Sequence, residues 1–174
     1  KYLQEFNLPK NRQIKELSKG MKMKFSLAVA FSHHAELLIM DEPTSGLDPV
    51  VRNELLEILS YLIQDENKGV FFSTHITSDL DKIADYVTLI DNGEIILSKT
   101  KDEITDNYGL VKGVKELIND DTKKLFVGIR QNQFGFKALS KDKEAVKKIF
   151  KEQVVIEKPS LEDILLYHTG RRKN

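Results

Sequence analysis

The first hydrophobic positions of the chain recur at helical spacing. Tyr2, Leu3 and Phe6 share one face of a short helix that Pro9 would end, and the polar run NRQIKE follows as a linker. A longer helix is predicted from Ser18, a residue type that caps helix starts. Its inner face carries Met21, Phe25, Ala28 and Phe31. Two helices are therefore expected before the first strand.

Two runs of consecutive hydrophobic residues, LLIM at 37–40 and GVFFSTH at 69–75, predict strands that are buried on both faces. The turn HHAE leads into the first strand. Pro43 ends that strand and is followed by the loop TSGLDP. Both strands therefore have sharp boundaries in the sequence.

The segments after these strands are predicted to be helices. VVRNELLEILSYLIQDEN is amphipathic and ends in a helix exit at Asn67 to Gly69. Its inner face carries Leu55, Leu56, Leu59, Leu62 and Ile63. SDLDKIAD is a short helix that Ser78 or Asp79 could cap. The alternation of strands and helices favours an α/β core with a parallel sheet.

The remaining sequence predicts a hairpin and a small α+β appendage. In YVTLIDNGEIILS, two β-rich runs flank Asn92-Gly93, a strong hairpin signal that would give the parallel sheet an antiparallel edge. After residue 100 a polar, turn-rich stretch precedes two strands, a helix, a strand and a last helix, and the terminal GRRKN is expected to be a solvated tail. We therefore expect a core domain over residues 1–100 and an accessory domain over 101–174.

Composition and charge exclude several classes of function. The chain has 174 residues, with 27 Lys and Arg against 27 Asp and Glu, so it has no overall basic field that would favour nucleic acid. No hydrophobic run approaches the length of a membrane span, and the first residues do not form a signal peptide. The absence of Cys excludes disulfides and thiolate metal sites.

Reactive side chains follow both predicted strands. Asp41 and Glu42 come directly after LLIM, and His75 follows VFFST. Ligands bind beyond the carboxyl ends of the strands in open α/β sheets, so these groups would converge if the strands are parallel neighbours. An Asp suits magnesium, a Glu can take a proton from an attacking water, and a His can bond a phosphate oxygen. Together they describe nucleotide hydrolysis.

Four motifs resemble those of a known family and occur in its order. LSKGM at 17–21, LLIMDEP at 37–43, SGLD at 45–48 and STH at 73–75 resemble the signature, Walker B, D-loop and H-loop of ATP-binding-cassette (ABC) transporter ATPases. NYGLVKG, FGFKAL and KPSLEDILL resemble bacterial ABC exporter ATPases whose membrane partner is a separate chain. The resemblance implies an α/β, P-loop NTPase-like partial domain, with a parallel sheet core and a C-terminal hairpin, followed by the α+β appendage.

The resemblance implies a role for each residue at the strand ends and in the D-loop. Asp41 would hold magnesium and Glu42 would be the general base. His75 would be the switch residue near the terminal phosphate. Asp48 would couple two nucleotide sites across a dimer.

The signature segment would contact the nucleotide of the opposite subunit through Ser18 and Gly20, with Lys19 and Met21 in the same nucleotide-binding turn. Free N–H groups and the helix dipole at a helix start attract anions, which supports this role independently. Two residues depart from the family pattern. Lys19 stands in place of a Gly and could add a cation near the phosphates or point to solvent. Met21 stands in place of a Gln and cannot donate the same hydrogen bonds.

The phosphate loop G-x-x-x-x-G-K-[ST] does not occur in this sequence, because none of the nine Gly is followed by Lys. In the family this loop precedes the signature. We therefore expect the chain to be a C-terminal fragment of an ATPase subunit that neither binds ATP usefully nor hydrolyses it alone. ATP and magnesium are expected as cofactors only of the intact subunit.

The resemblance further implies a membrane-spanning permease chain and a second ATPase subunit as partners, no nucleic acid, and a location at the cytoplasmic face of the cell membrane. Two alternatives stay open: a soluble ABC ATPase of translation or DNA repair, and a non-catalytic regulatory module whose appendage binds a partner. A helicase with a D-E-x-D box is disfavoured, because Thr44 occupies its fourth position.

Overall fold

The computed structural model describes residues 1–170 as two compact units, Lys1–Ile83 (the N-terminal unit) and the residues from Ala84 onward (the C-terminal unit). The predicted tail GRRKN lies, apart from its Gly, outside the described residues. The hairpin predicted as part of the core belongs to the C-terminal unit by its packing, and the domain limits 1–100 and 101–174 stay a prediction. None of the described helices is long and apolar enough to cross a membrane.

The N-terminal unit contains four helices and two strands, with a single 3-10 turn at Ile14–Glu16. In chain order these are α1 (Tyr2–Glu5), α2 (Lys19–Ser32), β1 (Leu37–Asp41), α3 (Pro49–Leu62), β2 (Gly69–Ser73) and α4 (Thr77–Ile83). α3 ends five residues before the predicted exit, because residues 63–67 form turns instead of continuing the helix.

β1 and β2 pair in parallel, from Leu37 opposite Gly69 to Asp41 opposite Ser73, which confirms the predicted parallel sheet. One hydrophobic cluster from α2, α3, β1 and the segment that follows α1 forms the core of this unit. Its buried members are Phe6, Leu8, Leu27, Ala28, Leu38, Leu55, Leu59 and Leu62.

The prediction that both strands are buried on both faces is wrong for the described chain. Leu38 is buried, whereas Ile39 is 72% exposed and Phe71, its partner across the strand pair, is 65% exposed. Successive side chains of a strand point to opposite faces. In this two-stranded sheet the core covers only the face that carries Leu38.

The C-terminal unit is richer in strands. It contains β3 (Tyr86–Asp91), β4 (Glu94–Thr100), α5 (Lys101–Asn107), β5 (Gly109–Gly113), α6 (Asp120–Lys123), β6 (Gly128–Asn132), β7 (Gly135–Ser140), α7 (Lys143–Phe150), β8 (Val155–Glu157) and α8 (Leu161–His168). Single 3-10 turns lie at Lys115–Leu117 and Lys151–Gln153. The predicted turn-rich stretch after residue 100 therefore contains a helix and a strand. Thr100 and Glu103 start that helix with a reciprocal capping box, a signal that the sequence carries.

β3 and β4 form the predicted hairpin. Asn92 and Gly93 both have positive φ, 50° and 81°, the backbone that a tight two-residue hairpin turn needs. The pair makes its own two-stranded sheet, so the expectation that it forms an antiparallel edge of the β1–β2 sheet is not met.

The appendage is α+β, as predicted, and its topology is specific. Its four strands pair antiparallel throughout in the order β6-β7-β5-β8, and with α6 and α7 between strands they give the β-α-β-β-α-β pattern of ferredoxin-like folds. Phe136 and Ala138 on β7 pack with Val146 and Phe150 of α7. On the opposite face of β7, the Lys137 side chain pairs with Asp163 of α8 at 3.2 Å. Helices therefore pack against both faces of this sheet.

His168, at the end of α8, has a ring nitrogen with an unmet hydrogen bond. Its Nε2 is buried and has no hydrogen-bond partner among the described residues, and its ring centroid lies 6.2 Å from that of Tyr108. Burial, and then the positive charge of Lys141, lower the pKa of His168 below its ordinary value of 6.5. The folded chain therefore binds this proton less readily than the unfolded chain does.

We predict that the free energy of unfolding falls as the pH drops below about 6.5 and levels off below the folded pKa of His168, because in this window the unfolded chain takes up more protons. Urea unfolding between pH 7.5 and 5 measures the effect. His168→Leu should flatten the slope, whereas the same substitution at exposed His33 should not. An unchanged slope in His168→Leu would contradict the prediction.

Candidate active site

The carboxyl ends of β1 and β2 bring three predicted site residues to one edge of the sheet. Asp41 is the register partner of Ser73, and the Ser73 hydroxyl donates a hydrogen bond to the Asp41 carboxylate. The Glu42 backbone N–H donates to the Ser73 carbonyl at 3.0 Å, so the pairing continues one residue beyond the strand. His75 follows two residues later on the second strand's path. The convergence expected from parallel pairing is therefore observed.

Glu42 and His75 are in direct contact. Glu42 Oε1 lies 2.8 Å from His75 Nδ1 and also accepts a hydrogen bond from the His75 backbone N–H at 3.1 Å. Because an ionised carboxylate only accepts hydrogen bonds, Nδ1 carries the proton in this contact. The His75 side chain is 72% exposed. Glu42 itself has φ of 47°, a left-handed backbone that is uncommon for a residue with a side chain.

The second carboxylate oxygen of Glu42, Oε2, is buried and has no hydrogen-bond partner among the described residues. A buried acceptor without a partner costs about 1–3 kcal/mol. A water molecule or a cation at this oxygen would remove that cost, so its setting suits a base that takes a proton from bound water. Glu42 therefore has one oxygen held in place and one whose hydrogen-bonding capacity is unmet.

The residues at this edge fit a magnesium ion that is only partly held by protein. No group of three or more His, Cys, Asp or Glu in the described residues could form a complete metal cage. Magnesium is usually bound by one or two carboxylates, together with water and substrate phosphates. Asp41 is exposed at the edge and its Oδ1 is oriented by Ser73, so it can supply the one protein oxygen that such a site needs.

A buried polar network lies directly behind this edge. Asp79 is fully buried, accepts a hydrogen bond from the Thr44 hydroxyl at 2.5 Å, and accepts another from Arg52 Nε at 2.6 Å. Arg52 also donates to the Ser78 hydroxyl at 2.8 Å. α4 begins at Thr77, so neither Ser78 nor Asp79 is the cap that the sequence suggested. Their side chains serve Arg52 and Thr44 instead.

Sequence reasoning missed this network, although one signal was present. Asp79 lies three residues after Ile76 and four before Ile83, on the face of α4 where apolar residues repeat. A carboxylate at such a position must be paired when it is buried. Which basic residue pairs with it depends on how α3 packs on α4, and local pattern does not contain that information.

The signature segment is built into the scaffold of the N-terminal unit. Ser18 caps α2 as predicted, because its hydroxyl accepts a hydrogen bond from the Met21 N–H at 3.2 Å. Lys19 Nζ donates to the Ser45 carbonyl at 2.6 Å, next to Gly46, whose φ is +68°. Lys19 is an exposed residue, so this contact does not decide between the two placements expected for it, near phosphates or in solvent, and both stay predictions. Its ammonium group binds the backbone of the D-loop of its own chain.

Gly20 and Met21 have packing roles. Gly20 is buried, and a Cβ atom added to it would lie 2.3 Å from Val51 Cγ1 on α3. Met21 is half-buried and packs against the hydrophobic core of this unit. The close approach of α2 to α3 therefore requires Gly at position 20, whatever the segment binds.

Asp48 also has a local structural role. It is the N-cap of α3, where its Oδ1 accepts hydrogen bonds from the N–H groups of Val50 and Val51, both at 3.1 Å. Pro49 follows at the first helical position, where its missing N–H costs nothing. The roles of Asp48 and of the other site residues toward nucleotide, metal and a second subunit stay predictions.

We predict that Gly20→Ala destabilises the chain by about 1–3 kcal/mol, because the added methyl group overlaps Val51. Chemical denaturation of Gly20→Ala in the parent and in a Val51→Ala background measures the coupling. The Val51→Ala background should restore most of the loss. Val50→Ala, at an exposed neighbouring position, is the control and should restore none. Additive losses in the Gly20→Ala/Val51→Ala pair would contradict this packing role.

Comparison with known proteins agrees with the geometry of the N-terminal unit. A family model described as "AAA domain, putative AbiEii toxin, Type IV TA system" matches residues 1–81. The lantibiotic transport ATP-binding protein SrtF of Streptococcus pyogenes is 40% identical over 91 residues, which are 52% of this chain and 39% of SrtF. The bacitracin transport ATP-binding protein BcrA of Bacillus licheniformis is 38% identical over 81 residues, 47% of this chain and 26% of BcrA.

The match to a third relative extends further along the chain. The linearmycin resistance ATP-binding protein LnrL of Bacillus subtilis is 32% identical over 118 residues, 68% of this chain and 38% of LnrL. The aligned parts span less than two fifths of the length of each of these relatives.

A solved structure, "An inward-facing conformation of a putative metal-chelate type ABC transporter", matches with a TM-score of 0.55 and 24% identity. The match covers 79% of this chain and 53% of that chain, and it supports the fold. The sequence matches confirm the resemblance predicted from the motifs: the chain is similar to ATP-binding proteins of ABC transporters.

Proposed function

We propose that this chain supplies the hydrolytic edge of an ATP site in an ABC transporter. The observation that supports this best is the Glu42–His75 pair at the carboxyl ends of two parallel strands. One oxygen of Glu42 is fixed by His75, and the other is buried and unpartnered among the described residues. A carboxylate in this setting has the form of a general base for an attacking water.

In the proposed reaction Glu42 takes a proton from a water molecule whose oxygen bonds to the terminal phosphorus of ATP, while the bond from that phosphorus to the oxygen of the departing ADP breaks. Base catalysis of this kind typically contributes about 10²–10⁴ in rate. His75 donates a hydrogen bond from its Nδ1–H to Glu42 and so presents Nε2 to solvent, where it can orient the water or contact a phosphate oxygen. In this proposal Glu42 is the base, and His75 makes the contact to the water or the phosphate.

Asp41 is the proposed protein ligand of magnesium, which when bound would neutralise phosphate charge. Ser73 fixes one oxygen of Asp41 from the neighbouring strand. The orientation of the carboxylate is thereby set before any ion binds. A single pre-oriented carboxylate suits an ion that keeps several waters.

The start of α2 is the proposed contact to the nucleotide of a second ATPase subunit, through Ser18, Lys19, Gly20 and Met21, with Asp48 as the coupling residue. α2 has 14 residues, and its first turn offers N–H groups and a positive dipole end to an anion. Lys19 acts here through Ser45, by holding the loop that leads to Asp48.

The proposed partners are a membrane-spanning permease chain and a second ATPase subunit, at the cytoplasmic face of the membrane. The proposed direction is export, since SrtF and BcrA are named for lantibiotic and bacitracin transport and LnrL for linearmycin resistance. A peptide or other antibiotic is the substrate class that these names suggest. The permease chain would select the substrate.

In the proposed site, a phosphate loop comes from outside these 174 residues. One exposed helix start attracts an anion by only roughly 0.3–1 kcal/mol, whereas millimolar affinity needs about 4 kcal/mol. We predict that the chain alone binds Mg-ATP with a Kd no tighter than about millimolar. Isothermal titration calorimetry measures it, with Mg-GTP as a comparison. Micromolar binding would contradict the proposal that the phosphate loop comes from outside these residues.

Glu42→Gln tests whether Glu42 is the general base, and the test uses the protein purified from its source cells. It should lower ATP turnover by about 10²-fold or more while ATP stays bound, because the base is lost and the phosphate contacts are not. Phosphate release and retained nucleotide measure the two effects. Glu36→Gln, an exposed residue before β1, is the control and should leave both unchanged. Equal loss of turnover and binding in Glu42→Gln would mean that Glu42 is structural.

A further inference from the structure

Two segments of the chain continue beyond the ends of β1 and β2: residues 42–44 (the first arm) and residues 75–79 (the second arm). One buried contact joins them. The first arm turns at Glu42 and continues into Pro43 and Thr44, both almost completely buried. The second arm runs through His75 into α4. The hydrogen bond from the Thr44 hydroxyl to the Asp79 carboxylate connects the arms two residues after Glu42 and four residues after His75.

α3 braces this contact from a third direction. Arg52 donates a hydrogen bond from Nε to the second oxygen of Asp79, and another from Nη2 to the Ser78 hydroxyl in the first turn of α4. A further bond between the same two helices joins Lys82 Nζ and Asn53 Oδ1 at 2.5 Å. Both oxygens of Asp79 are therefore engaged, and each holds a different segment of the chain.

Stability alone does not account for this arrangement. Asp79 is fully buried and the Arg52 side chain is 25% exposed. Ion pairs of this kind add little to the free energy of unfolding, because removing the charges from water is costly. What a paired buried carboxylate does provide is one fixed geometry. The two hydrogen bonds between Glu42 and His75 hold this geometry less firmly, because water competes for the largely exposed His75.

We infer that Thr44 and Asp79 are positioning residues: their buried hydrogen bond sets the separation of the two arms and thereby the contact between Glu42 and His75. This inference rests on the proposed function only for its consequence in catalysis. Its structural content, that the contact between Glu42 and His75 depends on the bond between Thr44 and Asp79, holds without a nucleotide.

The test uses the 174-residue chain without nucleotide and reads the His75 ring directly. In the parent, ¹⁵N chemical shifts should show the Nδ1–H form, because Nδ1 donates to Glu42. Thr44→Val keeps the side-chain shape but removes the hydroxyl, and should shift His75 to the tautomer mixture measured in Glu42→Ala. Thr44→Ser retains the hydroxyl and should restore the parent spectrum.

Controls separate positioning from a general loss of stability. Leu27→Ala removes buried side chain from α2, which carries none of the network residues, and should leave the His75 tautomer unchanged in the folded chain. Should Thr44→Val fail to fold, Arg52→Lys keeps the charge but loses the forked donor geometry, and it should shift the tautomer part of the way. A parent-like His75 spectrum in a folded Thr44→Val or, failing that, Arg52→Lys variant would overturn the inference.

The catalytic consequence is measured separately in the protein purified from its source cells. Thr44→Val should lower kcat by about 10²-fold with little change in KM for ATP, since a displacement of about 1 Å in a reacting group has an effect of that size. Thr44→Ser should recover most of kcat. If Glu42→Gln retains full turnover, the proposed function fails while the tautomer result stands, so the two failures are distinguishable.

Discussion

The parallel pairing of β1 and β2 is the interaction on which the candidate site depends. Its last register pair sets Asp41 opposite Ser73, so Asp41, Glu42 and His75 reach the same edge of the sheet. Beyond that pair the backbone ladder ends, apart from the Glu42 N–H. Beyond the sheet, side-chain hydrogen bonds to Asp79 and Glu42 connect the segments that follow the two strands.

Several residues expected to contact nucleotide also hold the scaffold together. Gly20 allows α2 to approach α3, Asp48 caps α3, and Lys19 binds the carbonyl of Ser45 between them. The start of α2, the D-loop and the start of α3 therefore pack as one piece. An anion bound at the start of α2 would act on the D-loop through short, direct contacts.

The two sheets of the chain differ in how they are covered. In the N-terminal unit Ile39 and Phe71 remain exposed, because the core packs on one face of a two-stranded sheet. In the C-terminal unit helices pack against both faces of four antiparallel strands, and every residue of β7 except Lys137 is buried. Consecutive apolar residues occur in both units, so a hydrophobic run shows that a strand has two apolar faces and not that both are covered.

The sequence by itself determined what depends on local chemistry. The hairpin at Asn92-Gly93, the Ser18 cap, the breaks at Pro43 and the strand-end positions of Asp41, Glu42 and His75 all follow from backbone preferences and hydrophobic period. The tertiary structure decided which partners distant residues have. Asp79 binds Thr44 and Arg52, Lys19 binds Ser45, and Gly20 faces Val51, because segments 26 to 35 residues apart are packed together. Such contacts depend on how helices pack, and a pattern read along one segment cannot specify them.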